Sequence, residues 1–316
     1  GRPLGAVLTH GNLCTQALLF ESICQGRHDD IGLAVIPLFH AFGAATNMLG
    51  PLSLGASVVM METFSVDGIF RAIEKEKITY ISAVPRLYLA MFMHQGAETR
   101  DVSSLRLCMT GGASIPTEFI SMFREKFNVK LAEGYGLTEA SPVVSFSRLE
   151  MTQKPGSVGT PAPGVDVKVV DDDGSELPAG QVGELIVRGP NVMKGYFNEP
   201  EATAEVLKGE WLYTGDLARL DDEGYIFLAG LKKRLIITSG FNVYPAEVES
   251  ILLRHPAVKD AKVVGSPDFM RGEIVKAIVV KREGFSLDDT ELIRYCRTYL
   301  APFKTPREVE FVPSMP

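Results

Sequence analysis

The chain has 316 residues, 46% hydrophobic and 22% charged, too long for one compact core, which predicts a large domain and a smaller one. Its net charge of -7 and pI near 5.4 argue against a nucleic-acid surface, since phosphate binding needs clustered positive charge. No apolar run reaches the roughly 18 residues of a membrane span. No signal peptide opens the chain, and its four cysteines lack CxxC spacing, so a reduced, cytoplasmic compartment is expected rather than a zinc site or a disulfide scaffold. The opening Gly1-Arg2-Pro3-Leu4-Gly5 lacks Met and a polar lead-in, which predicts a piece of a longer polypeptide.

In chain order, Leu33-Ala34-Val35-Ile36-Pro37 reads as a buried strand, followed by an apolar helix around 44–54 and a strand from Ala56 to Met60. Ser65 is placed to cap a helix running to about Lys77, ahead of a strand over Thr79–Val84. Leu105–Thr110 is a further strand, Ser114 with Pro116 starts a helix through Lys126, and Val129–Ala132 begins the next strand. This alternation predicts an α/β layer with a largely parallel sheet over residues 1–152.

From about Lys154 the texture changes. Pro155, Gly156, Gly159, Pro161, Pro163 and Gly164 punctuate short alternating runs such as Val165–Val170, Asp173-Gly174 offers a hairpin turn, and Gly183–Val187 is another strand. Residues 153–231 thus read as a β-rich subdomain. Residues 232–316 read as a small α+β domain: a helix opening at Pro245 and ending at His255-Pro256, strands at Ala261–Val264 and Val275–Val280, and a helix from Ser286 to about Leu300.

Two glycine-bearing segments carry candidate chemistry. Thr110-Gly111-Gly112-Ala113-Ser114 sits at a strand end leading into a helix, where glycines let a flat ring approach the backbone; a Gly-Gly turn is also a common structural device. Glu133-Gly134-Tyr135-Gly136-Leu137-Thr138-Glu139 offers a close-approach backbone, an aromatic surface, a hydroxyl for a phosphate and a carboxylate for a hard cation.

With Tyr213-Thr214-Gly215-Asp216, Gly224-Tyr225 and Gly230-Leu231-Lys232-Lys233-Arg234, the chain resembles the ANL superfamily of adenylate-forming enzymes. Leu8-Thr9-His10-Gly11-Asn12, Pro37-Leu38-Phe39-His40, Gly183-Glu184-Leu185, Gly195-Tyr196 and Gly240–Glu249 match in the same order, so the resemblance spans essentially the whole chain. It implies an ANL-type α/β large domain, with its β-rich subdomain, followed by a mobile α+β domain. It implies ATP, Mg²⁺ and coenzyme A as co-substrates and cofactor, and a small-molecule carboxylic acid as partner. Oligomeric state is left open.

The resemblance also implies roles. Gly112 and Ala113 would line the adenine site together with Glu133, Gly134 and Tyr135. Thr138 would hydrogen-bond the α-phosphate, Glu139 would hold Mg²⁺, and Asp216 would accept hydrogen bonds from the ribose hydroxyls. His40 would stand where the carboxylate channel meets the active site, although a lone His after an apolar strand is usually a core or cap residue. Lys233 falls at the family's hinge, and Ser239 and Gly240 in the stretch that meets CoA.

The sequence also departs from the pattern. The family's phosphate loop ends Pro-Lys-Gly, but here it reads Pro3-Leu4-Gly5, and the hinge motif carries Leu231 where the family has an arginine that contacts the nucleotide. The family's closing adenylation lysine would follow Pro316. The reading is an AMP-forming acyl-CoA ligase acting on an apolar acid, a fatty acid foremost. The alternatives are a catalytically weakened or inactive nucleotide- or acyl-binding homologue and a peptide-synthetase adenylation domain. The last is disfavoured because that class has an Asp where His40 stands.

Overall fold

The computed structural model describes residues 3–61, 64–113, 115–231 and 236–315. They form two compact units, one within Leu4–Lys232 and one within Lys233–Pro316.

The larger unit is built on a seven-stranded sheet. Its strands are β1 (Ile31–Ala34), β2 (Ser57–Met60), β3 (Tyr80–Ala83), β4 (Leu107–Thr110), β5 (Lys130–Gly136), β6 (Val143–Phe146) and β7 (Thr160–Pro161). They lie in the order β2-β1-β3-β4-β5-β6-β7. The β2, β1, β3, β4 and β5 neighbours are parallel, and β6 and β7 add antiparallel pairs. The buried runs of β3 and β4 have both faces covered, as parallel strands require.

Helices cover this sheet for reasons visible in sequence. Ser65 Oγ accepts the Gly68 N–H at 3.0 Å and starts the helix Val66–Glu76, which buries Ile69, Phe70 and Ile73 on one stripe and ends at Lys77 in the left-handed conformation. Phe119, Phe123 and Phe127 recur every four residues along the helix Thr117–Phe127 and pack as a ladder of rings, with Tyr88 edge-on to Phe123 at 5.4 Å. The expected start of this helix at Ser114 lies outside the described residues; Pro116 is its N-cap.

Several boundaries differ from the sequence reading, and one helix was not expected. The first strand ends at Ala34, because Val35–Pro37 leads into a turn whose Pro37 carbonyl accepts the His40 N–H at 3.0 Å. The apolar helix begins at Ala41 and runs to Ser53 through a π-helical turn over Ala45–Leu49. A helix at His10–Cys24 has no sequence-level expectation, because its apolar residues are spread around the cylinder and no face stands out.

At the amino ends of the strands a buried knot fixes the sheet. Asp30 accepts from the Arg27 N–H (2.8 Å), Thr79 Oγ1 (2.7 Å) and Arg106 Nε (2.8 Å), and these residues stand at or near the starts of β1, β3 and β4. Burial would raise the Asp30 carboxyl, but the Arg106 and Thr79 bonds outweigh it and hold the group below its usual range. The opposite, carboxyl edge is where the segments after β4 and β5 emerge.

The β-rich part of the larger unit is a five-stranded antiparallel sheet: β8 (Asp166–Val170), β9 (Gly183–Arg188), β10 (Leu207–Lys208), β11 (Trp211–Leu220) and β12 (Ile226–Leu231). The Asp173-Gly174 turn is held by Asp171, whose carboxylate accepts the N–H groups of Asp173 and Ser175. The smaller unit pairs β13 (Ile236–Thr238), β14 (Phe241–Val243), β15 (Val258–Asp268), β16 (Gly272–Lys281) and β17 (Glu308–Phe311), with helices Pro245–Leu252 and Asp289–Tyr299 closing its core around Val248, Leu252, Leu292 and Cys296. No helix among the described residues is long and apolar enough to cross a membrane.

Candidate nucleotide site

The carboxyl ends of adjacent strands bring the two glycine segments together. Thr110 of β4 pairs with Glu133 of β5, so Gly111 and Gly112 run on beside Gly134 and Tyr135. The approach is close: a Cβ at Gly111 would stand 3.0 Å from the Gly134 carbonyl oxygen, and Gly112 has φ +78°, which disfavours a side chain. His40 follows β1 at the same edge of the sheet. Its Nδ1 accepts the Phe42 N–H at 3.1 Å as a helix cap, and burial pulls the imidazole below its ordinary pKa, so it is neutral at pH 7. Phe42 in turn reaches within 3.9 Å of the Cβ position at Gly111.

Glu133 points back into the fold. It is 8% exposed, and burial pushes its carboxyl up to about 7 despite a hydrogen bond from the Ile115 backbone. The folded protein therefore holds this proton more tightly than the unfolded chain. The resulting stability is fully present below about pH 4.5 and is lost as pH rises through 7. Glu133→Gln should flatten the unfolding free energy over that window by up to about 3 kcal/mol, read by denaturant unfolding at both ends of it. Parallel pH profiles for the two proteins would mean that Glu133 ionises as it does in water.

Past β5, Thr138–Ala140 forms a short 3₁₀ turn closed by the Leu137 N–H on the Pro142 carbonyl at 3.0 Å. Thr138 is exposed and Glu139 half-buried. Asp216 comes from the other sheet. Thr214 Oγ1 donates to the Leu185 carbonyl (2.7 Å) and accepts the Asp216 N–H (3.1 Å), while Glu184 accepts the Gly215 N–H (3.1 Å). With Gly215 at φ +75°, these bonds form an irregularity in β11 at Asp216, whose carboxylate accepts the Tyr135 phenol. Burial first, then the charges of Glu139 and Glu184 against the opposing Tyr135 bond, raise Asp216 to about 6. Tyr135 is driven well above its ordinary value by burial and by Asp216.

Gly112, Ala113, Glu133, Gly134, Tyr135, Thr138, Glu139 and Asp216 therefore belong to one edge of the larger unit, where glycine backbone, an aromatic ring and two carboxylates meet. Ser239 and Gly240 belong to the smaller unit, in the turn between β13 and β14, with φ +53° and +83° and the Ser239 N–H donating to the Arg271 carbonyl at 2.8 Å. Lys233, the expected hinge, lies outside the described residues.

Two groups carried no expected role. Tyr196 donates its phenol to Glu139 Oε1 at 2.7 Å, across 57 residues that no local spacing could bridge. Asn12 is a brace: Thr9 and Asn12 form a capping box, and Asn12 Nδ2 donates to the carbonyls of Pro190 (2.7 Å) and Val192 (2.9 Å).

Comparison with known proteins identifies the family and the fold. The profile of the family described as AMP-binding enzyme matches residues 1–197, and that of the AMP-binding enzyme C-terminal domain matches residues 247–316. A feruloyl-CoA synthase from Amycolatopsis sp is 40% identical over 320 residues, covering 100% of this chain and 64% of that protein. A long-chain-fatty-acid–CoA ligase from Bacillus subtilis is 38% identical over 321 residues, covering 100% of this chain and 57% of the ligase. Among solved structures, an amide bond synthetase from Marinactinospora thermotolerans superposes with a TM-score of 0.93 at 34% identity, covering 99% of this chain and 63% of that one. The chain thus spans less than two thirds of the length of these relatives.

Proposed function

Because the chain belongs to the AMP-binding enzyme family, we propose that it carries the nucleotide site and mobile domain of an acyl-CoA synthetase that activates an apolar carboxylic acid, a fatty acid foremost, in the cytosol. CoA ligases of this family use ATP, Mg²⁺ and CoA. The observation that carries the reading is the meeting of Tyr135, Asp216 and Glu139 beside the glycine backbone of β4 and β5.

The residues fit the nucleotide. Glycines at 111, 134 and 136 let neighbouring main chain or a ring pack where a Cβ would clash, which holds the strand ends that carry Tyr135, Thr138 and Glu139 close together. Asp216 keeps acceptor capacity beyond its bond to Tyr135 and is our ribose anchor. Thr138, exposed on its turn, is assigned to the α-phosphate. Among the described residues no three metal-ligating side chains cluster. A divalent cation would therefore meet Glu139 and phosphate oxygens, which is how Mg²⁺ is habitually held. When bound there, Mg²⁺ would neutralise charge on the phosphates.

In the first half-reaction a carboxylate oxygen of the acid bonds to the α-phosphorus as pyrophosphate leaves. In the second, the CoA sulfur bonds to the acyl carbon, AMP leaves and the thiol proton is released. Neutral, capped His40 is assigned to the wall past which the carboxylate enters. Lys233 is our hinge, and Ser239 and Gly240 our CoA contacts.

One observation favours a second reading of the acid. Asn47, 1% exposed in the π-helical turn of the helix that His40 caps, has neither amide atom hydrogen-bonded among the described residues. A buried amide without a partner is costly, and a hydroxyl or carbonyl on the acid would satisfy it. Leu4 and Leu231 favour the weakened-homologue reading, since each stands where the family has a cation.

A polypeptide of the relatives' full length carrying these residues should catalyse acid-dependent ATP–pyrophosphate exchange, tested on a panel of long-chain fatty acids, ferulate and indoleacetate. Exchange with fatty acids supports the apolar reading, and preference for ferulate supports the Asn47 reading. Nucleotide binding without exchange on any acid overturns the ligase assignment in favour of a binding homologue.

A further inference from the structure

Resting on the assignment of Glu139 to the cation, we propose that Tyr196 is a positioning residue for the nucleotide-bound divalent metal. Its phenol holds one oxygen of the Glu139 carboxylate so that the other is presented to the ion, and its segment links that carboxylate to the end of the phosphate loop.

The contact is a 2.7 Å hydrogen bond from the Tyr196 phenol to Glu139 Oε1. A donor fixed on one carboxylate oxygen orients the group and directs the ligating lone pairs to Oε2, as outer hydrogen bonds do at metal sites generally. Tyr196 is itself held. Its N–H donates to Thr203 Oγ1 at 2.8 Å, and Thr203 Oγ1 donates to the Glu199 carbonyl at 2.7 Å.

The same short segment is stitched to both sides of the phosphate site. The Met193 N–H donates to the Glu139 carbonyl at 2.8 Å. On the other side the Val7 N–H donates to the Gly195 carbonyl (2.8 Å), the Lys194 N–H to the Val7 carbonyl (3.0 Å) and the Phe197 N–H to the Gly5 carbonyl (2.8 Å). Ala6 and Tyr196 form an isolated antiparallel bridge. Residues 193–197 therefore tie the chain that leaves Pro3-Leu4-Gly5 to the turn carrying Thr138 and Glu139. Movement at either end is transmitted through five backbone and side-chain bonds.

The test uses Mn²⁺ as the probe and this chain as it stands. The protein's affinity for MnATP is followed by electron paramagnetic resonance and compared with its affinity for ATP in EDTA. Tyr196→Phe removes the hydroxyl and keeps the ring. It should lower the ratio of the two affinities about tenfold, the lower end of what loss of an outer-shell partner costs, and leave metal-free ATP binding within about twofold. An unchanged ratio, or an equal fall in both affinities, overturns the proposal, since the second pattern is that of a merely structural residue.

Glu139→Asp approaches the contact from the other side. It retains a carboxylate but withdraws it from the phenol, so it should reproduce the fall in the ratio, and adding Tyr196→Phe to it should change nothing further. An additional tenfold loss in the double variant overturns the proposal, and Glu139→Asp alone remains readable if Tyr196→Phe does not fold, an unchanged ratio in it being the overturning result. Glu139→Gln separates the two levels of inference. If it leaves the ratio unchanged, the assignment of the metal to Glu139 fails. If it lowers the ratio while Tyr196→Phe does not, only the role of Tyr196 fails.

Discussion

Asp216→Ala should weaken AMP binding by about tenfold or more, because hydrogen bonds to a charged group are worth about 1.5–3 kcal/mol and about 1.4 kcal/mol is tenfold in affinity. The local fold should tolerate the change. The irregularity in β11 that presents Asp216 is made by Thr214, Gly215 and Glu184, none of which is altered. Removing a carboxylate that burial and two neighbouring charges hold up to about 6 also relieves an unfavourable interaction.

The role of the ribose can be isolated chemically. The parent should bind AMP more tightly than 2′,3′-dideoxy-AMP, and Asp216→Ala should bind the two alike. Adenosine, which carries no phosphate to titrate near neutrality, gives the pH arm. Its affinity should fall as pH drops through about 6, since a protonated carboxyl accepts less well, and Asp216→Ala should lose that dependence. A folded Asp216→Ala protein that still prefers AMP to the dideoxy analogue would falsify the ribose assignment.

Gly136→Ala should cost both stability and nucleotide affinity. A Cβ there would lie 1.9 Å from the Pro142 carbonyl oxygen and 2.7 Å from its carbon, both backbone atoms that no rotamer change can move. The same carbonyl accepts the Leu137 N–H, so the two chains can separate only by breaking the bond that closes the Thr138–Ala140 turn. Overpacking of this kind costs about 1–3 kcal/mol. Thr138 and Glu139 should shift with the turn, and MgATP affinity should drop by at least about tenfold, the scale on which misplaced outer contacts act at metal sites. Gly11→Ala is the matched control. Its nearest neighbour would be Thr9 Oγ1 at 3.5 Å, an ordinary contact on an exposed helical position, so it should be neutral or stabilising by about 0.5–1 kcal/mol. Melting midpoints and MgATP titrations of the two variants decide the matter. If Gly136→Ala behaves like Gly11→Ala, the close approach at Gly136 has no bearing on the site.

Much was legible from residues alone, where the determining interaction is local. Ser65 as a helix cap, the every-fourth phenylalanines of Thr117–Phe127 and the Asp171–Gly174 turn each rest on contacts within a few positions, and so each is readable from spacing. The strand–helix alternation likewise determined a largely parallel sheet, and with it the edge at which Thr110–Ala113 and Glu133–Glu139 had to emerge. The helix His10–Cys24 was not legible, because its buried stripe includes the polar Asn12 and Gln16 while Leu18 is exposed on the outer face, so its apolar residues show no single face.

The site's internal wiring was decided only by the tertiary fold. Tyr135 looked like an aromatic wall, and the structure adds its phenol on Asp216, 81 residues away. Glu133 looked like part of the base-binding surface, and the structure adds that burial raises its carboxyl to about 7 against the hydrogen bond from the Ile115 backbone. Asn12 sat in an unexplained motif and proves to brace Pro190 and Val192, while Tyr196 on Glu139 had no counterpart in any local pattern. In each case the physical cause is the same. Local sequence determines which groups a segment offers, but the desolvation that shifts a carboxyl and the partner that orients it come from chain dozens of residues distant, and packing alone brings that chain into place.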